Sequence, residues 1–172
     1  MSEYERPRRI SAADDFAAFD CGVEVLNEWL QRHALANDKS GMTTVYVTTK
    51  EGRVVGYYGL CTSVVEHEHA IRKVGRGMPK HPIPALLISR FAVTSEEQGV
   101  GLGRHLLRDA LVRAAKVASE VGVRALHVHA KDDQARKFYA KYGFVSSPID
   151  EAHLQMPIKD IAASLAAIAG SA

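Results

Sequence analysis

Residues 84–111 read PALLISRFAVTSEEQGVGLGRHLLRDAL, and the rest of the chain is organised around them. Residues 85–93 are apolar enough for a strand buried on both faces, interrupted only by Ser89 and Arg90. Thr94-Ser95-Glu96-Glu97 stops that run. Three glycines then alternate, in Gln98-Gly99-Val100-Gly101-Leu102-Gly103, immediately before an amphipathic helix. Such a turn lets the backbone approach a ligand and point its N–H groups at it, which suits a pyrophosphate. Leu107, Ala110, Leu111, Ala114, Val117, Ala118 and Val121 recur at spacings of three and four, predicting one apolar stripe, with Gly122 as the stop.

Spacing separates the competing phosphate patterns. The dinucleotide fingerprint needs Gly-x-Gly-x-x-Gly, and the nucleotide P-loop needs Gly-Lys-Ser/Thr; Gly99, Gly101, Gly103, Arg104 and His105 satisfy neither. Gln98-x-x-Gly101-x-Gly103 resembles the acetyl-coenzyme A signature of the GNAT superfamily of N-acetyltransferases. A second stretch strengthens the resemblance. Residues 125–130 (ALHVHA) alternate as a strand, and Ala135, Phe138, Tyr139, Gly143 and Phe144 match the Ala-x-x-Phe-Tyr-x-x-x-Gly-Phe helix and turn of that superfamily. Three residues before Ala135, many relatives carry Asn where this chain has Asp132, which serves as a helix cap but is unfavourable beside pyrophosphate.

The resemblance implies an α/β (α+β) GNAT fold: a mixed, mostly antiparallel central sheet with splayed parallel central strands, flanked by helices, as a single domain over residues 1–172. It also implies acetyl-CoA as cosubstrate, held by Phe91, Ala92 and Val93 of the central strand, by Gln98, Gly99, Val100, Gly101, Leu102, Gly103 and Arg104, and by Phe138. Backbone N–H groups around residues 91–93 would polarise the thioester oxyanion. Tyr139 stands where many GNAT enzymes place a general acid. A phenol pKa of about 10 against about 8.5 for a thiol lets it share its proton with the departing sulfur. Phe138 is expected to fill the core and Tyr139 to face the cleft. No Gly-x-Ser-x-Gly elbow is present, so no acyl-enzyme is expected.

Outside these motifs, 172 residues with 47% hydrophobic content suit a sizeable core. The first eleven residues lack a signal-peptide apolar run, and no stretch nears about 18 apolar residues, predicting a cytoplasmic protein. Cys21 and Cys61 are forty positions apart and read as buried free thiols. Residues 8–11 are the candidate first strand. Residues 11–19 read as a short helix with Asp14 and Asp15 in its first turn, and Asp20 as the cap of a second helix bearing Val23, Leu26, Leu30 and Ala34. Residues 42–49 and 54–65 form a hairpin about Lys50-Glu51-Gly52-Arg53, a last strand lies near residues 154–156, and residues 163–172 form a loose Ala-rich helix.

Between Glu68 and Glu96 the chain has no acid but carries Arg72, Lys73, Arg76, Lys80 and Arg90, although the whole protein, with 22 basic and 20 acidic residues, is only +2. This local patch on a flexible loop suits a phosphate-bearing acceptor, with Arg32 and Lys39 supporting it. Arg90 could equally hold the loop in place. Polyamine or aminoglycoside acceptors are cations and favour an acidic cleft. Without a clear buried carboxylate base, an α-amine of pKa near 7.7–8.0 is an easier nucleophile than a lysine amine near 10.4. His67, His69, His127 and His129 read as histidines on strand faces, and acetyl transfer needs no metal.

Over residues 8–162 the chain is similar to the GNAT toxins of toxin–antitoxin modules. Phe19-Asp20-Cys21-Gly22, Leu26-Asn27-Glu28-Trp29-Leu30, Val45-Tyr46-Val47, Ile88-Ser89-Arg90-Phe91-Ala92-Val93 and Leu154-Gln155-Met156-Pro157-Ile158-Lys159-Asp160 carry that similarity. It implies acetylation of the amino acid on charged tRNA, a block of translation, a homodimer, and a cognate ribbon-helix-helix antitoxin. The alternatives are a GNAT enzyme acting on protein amines or a small-molecule amine, and a binding-only sensor of acetyl-CoA.

Overall fold

The computed structural model describes residues 3–170. Seven strands, β1 (Arg8–Arg9), β2 (Thr44–Lys50), β3 (Arg53–Val65), β4 (Ile83–Val93), β5 (Ala125–His129), β6 (Val145–Ser147) and β7 (Asp150–Pro157), form one mixed sheet in the order β1-β2-β3-β4-β5-β7-β6. β4 and β5 run parallel, with Ala85 opposite Ala125 through Ile88 opposite Val128. The β1–β2, β2–β3, β5–β7 and β6–β7 pairs are antiparallel. Among the described residues six α-helices accompany the sheet: α1 (Glu24–Arg32), α2 (Ala34–Ser40), α3 (Arg72–Gly75), α4 (Leu102–Ala118), α5 (Asp133–Lys141) and α6 (Ile161–Gly170). By contacts the chain divides into two compact units, one of Met1–Cys61 with Ser89–Ala110 and the other of Thr62–Ile88 with Leu111–Ala172. No helix among the described residues is long and apolar enough to cross a membrane.

The first unit is built on a core of Ile10, Phe19, Cys21, Leu30, Ala34, Val45, Val47, Val54, Tyr57 and Ala92. Trp29 stacks on Tyr57 with ring centroids 5.9 Å apart, so it is a core residue, and the Tyr57 hydroxyl donates to the Leu26 carbonyl at 2.7 Å. Glu51 and Gly52 both have positive φ, +51° and +77°, the signature of the tight turn that joins twisted antiparallel strands. A Cβ on Gly56 of β3 would lie 2.7 Å from Leu106 Cδ1, so α4 packs onto β3 only because that position is bare. Leu102, Leu106 and Leu107 are fully buried there, each contributing about 1.5–3 kcal/mol relative to exposure.

Two expectations for this unit fail for one reason, which is side-chain competition for the backbone. Residues 11–19 form turns and no helix. Ser11 N–H donates to the Asp14 carboxylate at 2.7 Å and Ala13 N–H to Ser11 Oγ, closing local rings that replace helical bonds. Asp20 is likewise no cap: its Oδ1 accepts from Gly22 N–H and Asn27 Nδ2, both at 2.9 Å, while α1 starts at Glu24 after Val23 with no capping side chain. The helix expected there breaks at His33 into α1 and α2.

The second unit has its own core of Val65, Ile71, Val74, Ile83, Ala85 and Ala125. Residues 70–78 are not a flexible loop. Ile71 N–H donates to Gln155 Oε1 at 2.9 Å and Gln155 Nε2 to the His69 carbonyl at 2.7 Å. The Arg124 guanidinium collects the carbonyls of Val74 at 2.6 Å, Arg76 at 3.2 Å and Lys73 at 3.4 Å. These bonds satisfy the carbonyls that α3, a single turn, leaves unpaired. His67–His69 is a 3-10 turn and not a strand. α4 ends at Ala118, short of Gly122, where the Ser119 hydroxyl takes the Lys116 carbonyl at 2.6 Å and Val121 is exposed. Cys61 is half-buried, unlike the buried Cys21.

Candidate active site

The glycine turn ends β4 and begins α4 within the first unit. Gly99 and Gly101 take φ of +79° and +92°, conformations that L side chains rarely adopt. His105 N–H closes the first intrahelical bond onto the Gly101 carbonyl at 3.2 Å. The N–H groups of Leu102, Gly103 and Arg104 therefore lie in the first turn, where no intrahelical acceptor exists, and they carry the positive end of the α4 dipole. Such an end is a ready anion site. The Gln98 side chain holds the turn: its Nε2 donates to the Val93 carbonyl at 2.8 Å and the Cys21 carbonyl at 3.1 Å, fastening the turn to the end of β4. Val100 is exposed, and Leu102 is buried as the anchor of the helix start.

Ala92 and Val93 are buried, and Phe91 stacks 6.5 Å from Tyr58. Ser89 Oγ and Arg90 Nε, on the same strand, are buried without a hydrogen-bond partner among the described residues. Arg90 otherwise lies 5.0 Å over the Trp29 ring and donates from Nη1 to the Ser89 carbonyl at 2.9 Å. A buried donor left unpaired costs about 1–3 kcal/mol, and these two side chains, adjacent on β4, stand on opposite faces of the sheet. The sequence carried this signal as two polar residues in an apolar strand. Glu97 is not available as a base. It accepts from the Tyr4 hydroxyl and, at 2.9 Å, from Lys50 Nζ, and these two hold its carboxyl below the ordinary range.

In the second unit, Asp132 Oδ1 accepts from Ala135 N–H at 2.8 Å and so caps α5, as its position before Ala135 suggested. Tyr139 of α5 is buried, with its ring edge-on to Phe138 at 5.3 Å and to Phe144 at 5.5 Å. Phe138 is the more exposed of the pair, reversing the expected division, because Phe144, arriving after the Gly143 turn at φ +100°, supplies the core contact instead. Burial pushes the Tyr139 phenol pKa up.

The seven expected cationic contacts separate by partner. Arg72, Arg76 and Lys80 are exposed and make no ion pair among the described residues, as does Lys39 on α2. Lys73 is paired with Asp160 at 3.1 Å, and Arg32 with Glu28 at 3.2 Å.

The chain thus carries a parallel strand pair, a glycine turn opening a helix, and a motif tyrosine on the helix after the next strand. Residues 41–146 match the acetyltransferase (GNAT) domain model, and the chain belongs to that family. It is an acetyl-CoA-dependent acyltransferase. It is 48% identical over 160 residues, 93% of this chain and 96% of the relative, to the tRNA-acetylating toxin of Mycobacterium tuberculosis (strain ATCC 25618 / H37Rv). Among solved structures it is similar to AtaT complexed with acetyl-methionyl-tRNAfMet, with a TM-score of 0.83, 28% identity, and coverage of 93% of this chain and 96% of that one. It is also similar to an AtaT mutant toxin bound to the C-terminus of the antitoxin AtaR and acetyl-CoA, with a TM-score of 0.78, 28% identity, and coverage of 92% and 96%.

Proposed function

We propose that this protein is the toxin of a toxin–antitoxin pair, transferring acetyl from acetyl-CoA to the α-amino group of the amino acid on charged tRNA and so blocking translation. The observation that carries this reading is the 48% identity, over nearly the whole chain, to a tRNA-acetylating toxin. Arg72, Arg76 and Lys80, exposed and without an ion pair among the described residues, support it, since phosphate contacts need accessible charge.

The residues then take defined parts. First-turn N–H groups of Leu102, Gly103 and Arg104 bind the pyrophosphate, with Gly99 and Gly101 giving the turn its shape. Backbone N–H groups of residues 91–93 polarise the thioester carbonyl. The neutral α-amine attacks that carbon, the carbon–sulfur bond breaks, Tyr139 gives its proton to the leaving thiolate, and the proton lost from the acylated nitrogen passes through solvent to restore the phenol. With Glu97 held by Tyr4 and Lys50, an amine already partly neutral near pH 7.7–8.0 supplies its own nucleophile. The whole chain acts as one catalytic domain, forms a homodimer in the cytoplasm, and is neutralised by a ribbon-helix-helix antitoxin.

Incubation with labelled acetyl-CoA and total charged tRNA tests the acceptor. Alkaline release of the ester should yield a labelled N-acetyl amino acid. Label found only on protein or small amines would instead establish the alternative, an N-acetyltransferase of those amines.

A further inference from the structure

We propose that His127, His129 and His153 form a binding site for a divalent transition-metal ion of the zinc class. The site is separate from acetyl transfer, which needs no metal. Strand register creates it. His127 and His129 are two apart on β5 and so share one face of the sheet, and β7 brings His153 opposite His129 on that same face. Each ring offers a nitrogen, and the three ligand atoms lie within 4.8 Å of one another.

The geometry within the cluster is specific. His127 Nδ1 and His153 Nε2 are 2.8 Å apart and share one proton, while His127 Nε2 lies 3.0 Å from Ser63 Oγ. In the tautomer that donates Nε2–H to Ser63, His127 keeps Nδ1 as a lone pair aimed at His153, the orientation that outer hydrogen bonds impose on metal-binding imidazoles. Tetrahedral zinc with Zn–N bonds of about 2.0–2.1 Å places its ligand nitrogens roughly 3.3 Å apart. The His127–His153 pair opens by about half an ångström to admit the ion, and the shared proton moves to the other ring nitrogen of His153. His129 is exposed and stacked 4.6 Å from His153, so it can rotate to complete the set and offers the entry path. A solvent molecule takes the fourth position.

The surroundings fit this reading better than a purely structural cluster. Gln155 occupies the same face opposite His127 and fixes the His69 backbone, and His69 Nδ1 is buried with no hydrogen-bond partner among the described residues, 5.8 Å between ring centroids from His153. Four imidazoles are thus gathered on a face where apolar side chains would pack at less cost. The donor set is nitrogen without carboxylate or thiolate, which selects zinc, nickel or copper over calcium, magnesium or iron–sulfur chemistry. Bound metal would tie β5 to β7 just before the segment leading into α5.

Tag-free protein, dialysed against chelator, should bind one zinc per chain in calorimetry. Its melting temperature should rise by about 5–10 °C at zinc roughly 100-fold above Kd. Cobalt should give the intense visible absorption of a tetrahedral nitrogen site, and magnesium should give no response. His129→Ala, at an exposed position, should keep its far-ultraviolet circular dichroism and lose at least tenfold in zinc affinity, as should His153→Gln. Zinc binding of unchanged strength in His129→Ala, or no saturable zinc binding by the wild-type chain at 100-micromolar protein, would overturn the proposal.

Discussion

Gly101 has φ +92°, and a Cβ there would sit 3.4 Å from Arg104 Nη2, so any side chain strains the backbone at the start of α4. Gly101→Asp adds a negative charge at the proposed pyrophosphate site, and calorimetry should show acetyl-CoA affinity reduced at least tenfold in a folded variant. Tyr139→Phe keeps the ring packing against Phe138 and Phe144 and removes only the proton donor. Single-turnover acetylation should slow by about 10²- to 10⁴-fold with acetyl-CoA affinity little changed, whereas near-wild-type rates would leave Tyr139 a packing residue. At this scale the motif positions were legible and some of their tasks were not. Gln98 was legible as a signature residue, but that its amide fastens the turn to Val93 and Cys21 depends on chain brought from 77 positions away.

Among the elements, the N-terminal segment is held by a clasp that no local pattern announces: the Tyr4 hydroxyl and Lys50 Nζ both donate to Glu97. A carboxyl whose folded pKa is depressed adds stability above its unfolded pKa of about 4.3, and this is lost as pH falls through the folded value. Tyr4→Phe should therefore destabilise the protein at pH 7, and the gap from wild type should narrow below about pH 4.3 in denaturant titrations. A gap independent of pH would mean that Tyr4 acts only by packing. Elements with strong periodicity, β2, β3, β4 and most of α4, were readable because their burial follows directly from spacing. Residues 11–19 and 67–69 were misread because Asp14, Ser11 and Gln155 redirect the backbone through side-chain hydrogen bonds, which periodicity does not encode.

For the molecule as a whole, net charge and local charge make different claims on tRNA. Arg76→Ala with Lys80→Ala removes two of 22 basic residues and brings the net charge from +2 to zero. Arg53→Ala with Lys116→Ala makes the same change elsewhere on the surface. If the patch makes the phosphate contacts, the first pair should flatten the salt dependence of tRNA binding by about one log–log unit per lost contact and the second should leave it unchanged. Equal effects would assign the attraction to net charge alone. The sequence by itself determined the family, the glycine turn, the motif tyrosine and the acid-free stretch, since each is written in contiguous residues. Only the tertiary structure decided which cations are paired among the described residues, that Arg124 builds the basic segment through three carbonyls, that Glu97 is already engaged, and that three histidines converge on one sheet face. Each of these depends on partners distant in sequence, and strand register and side-chain reach bring them together only once the chain has folded.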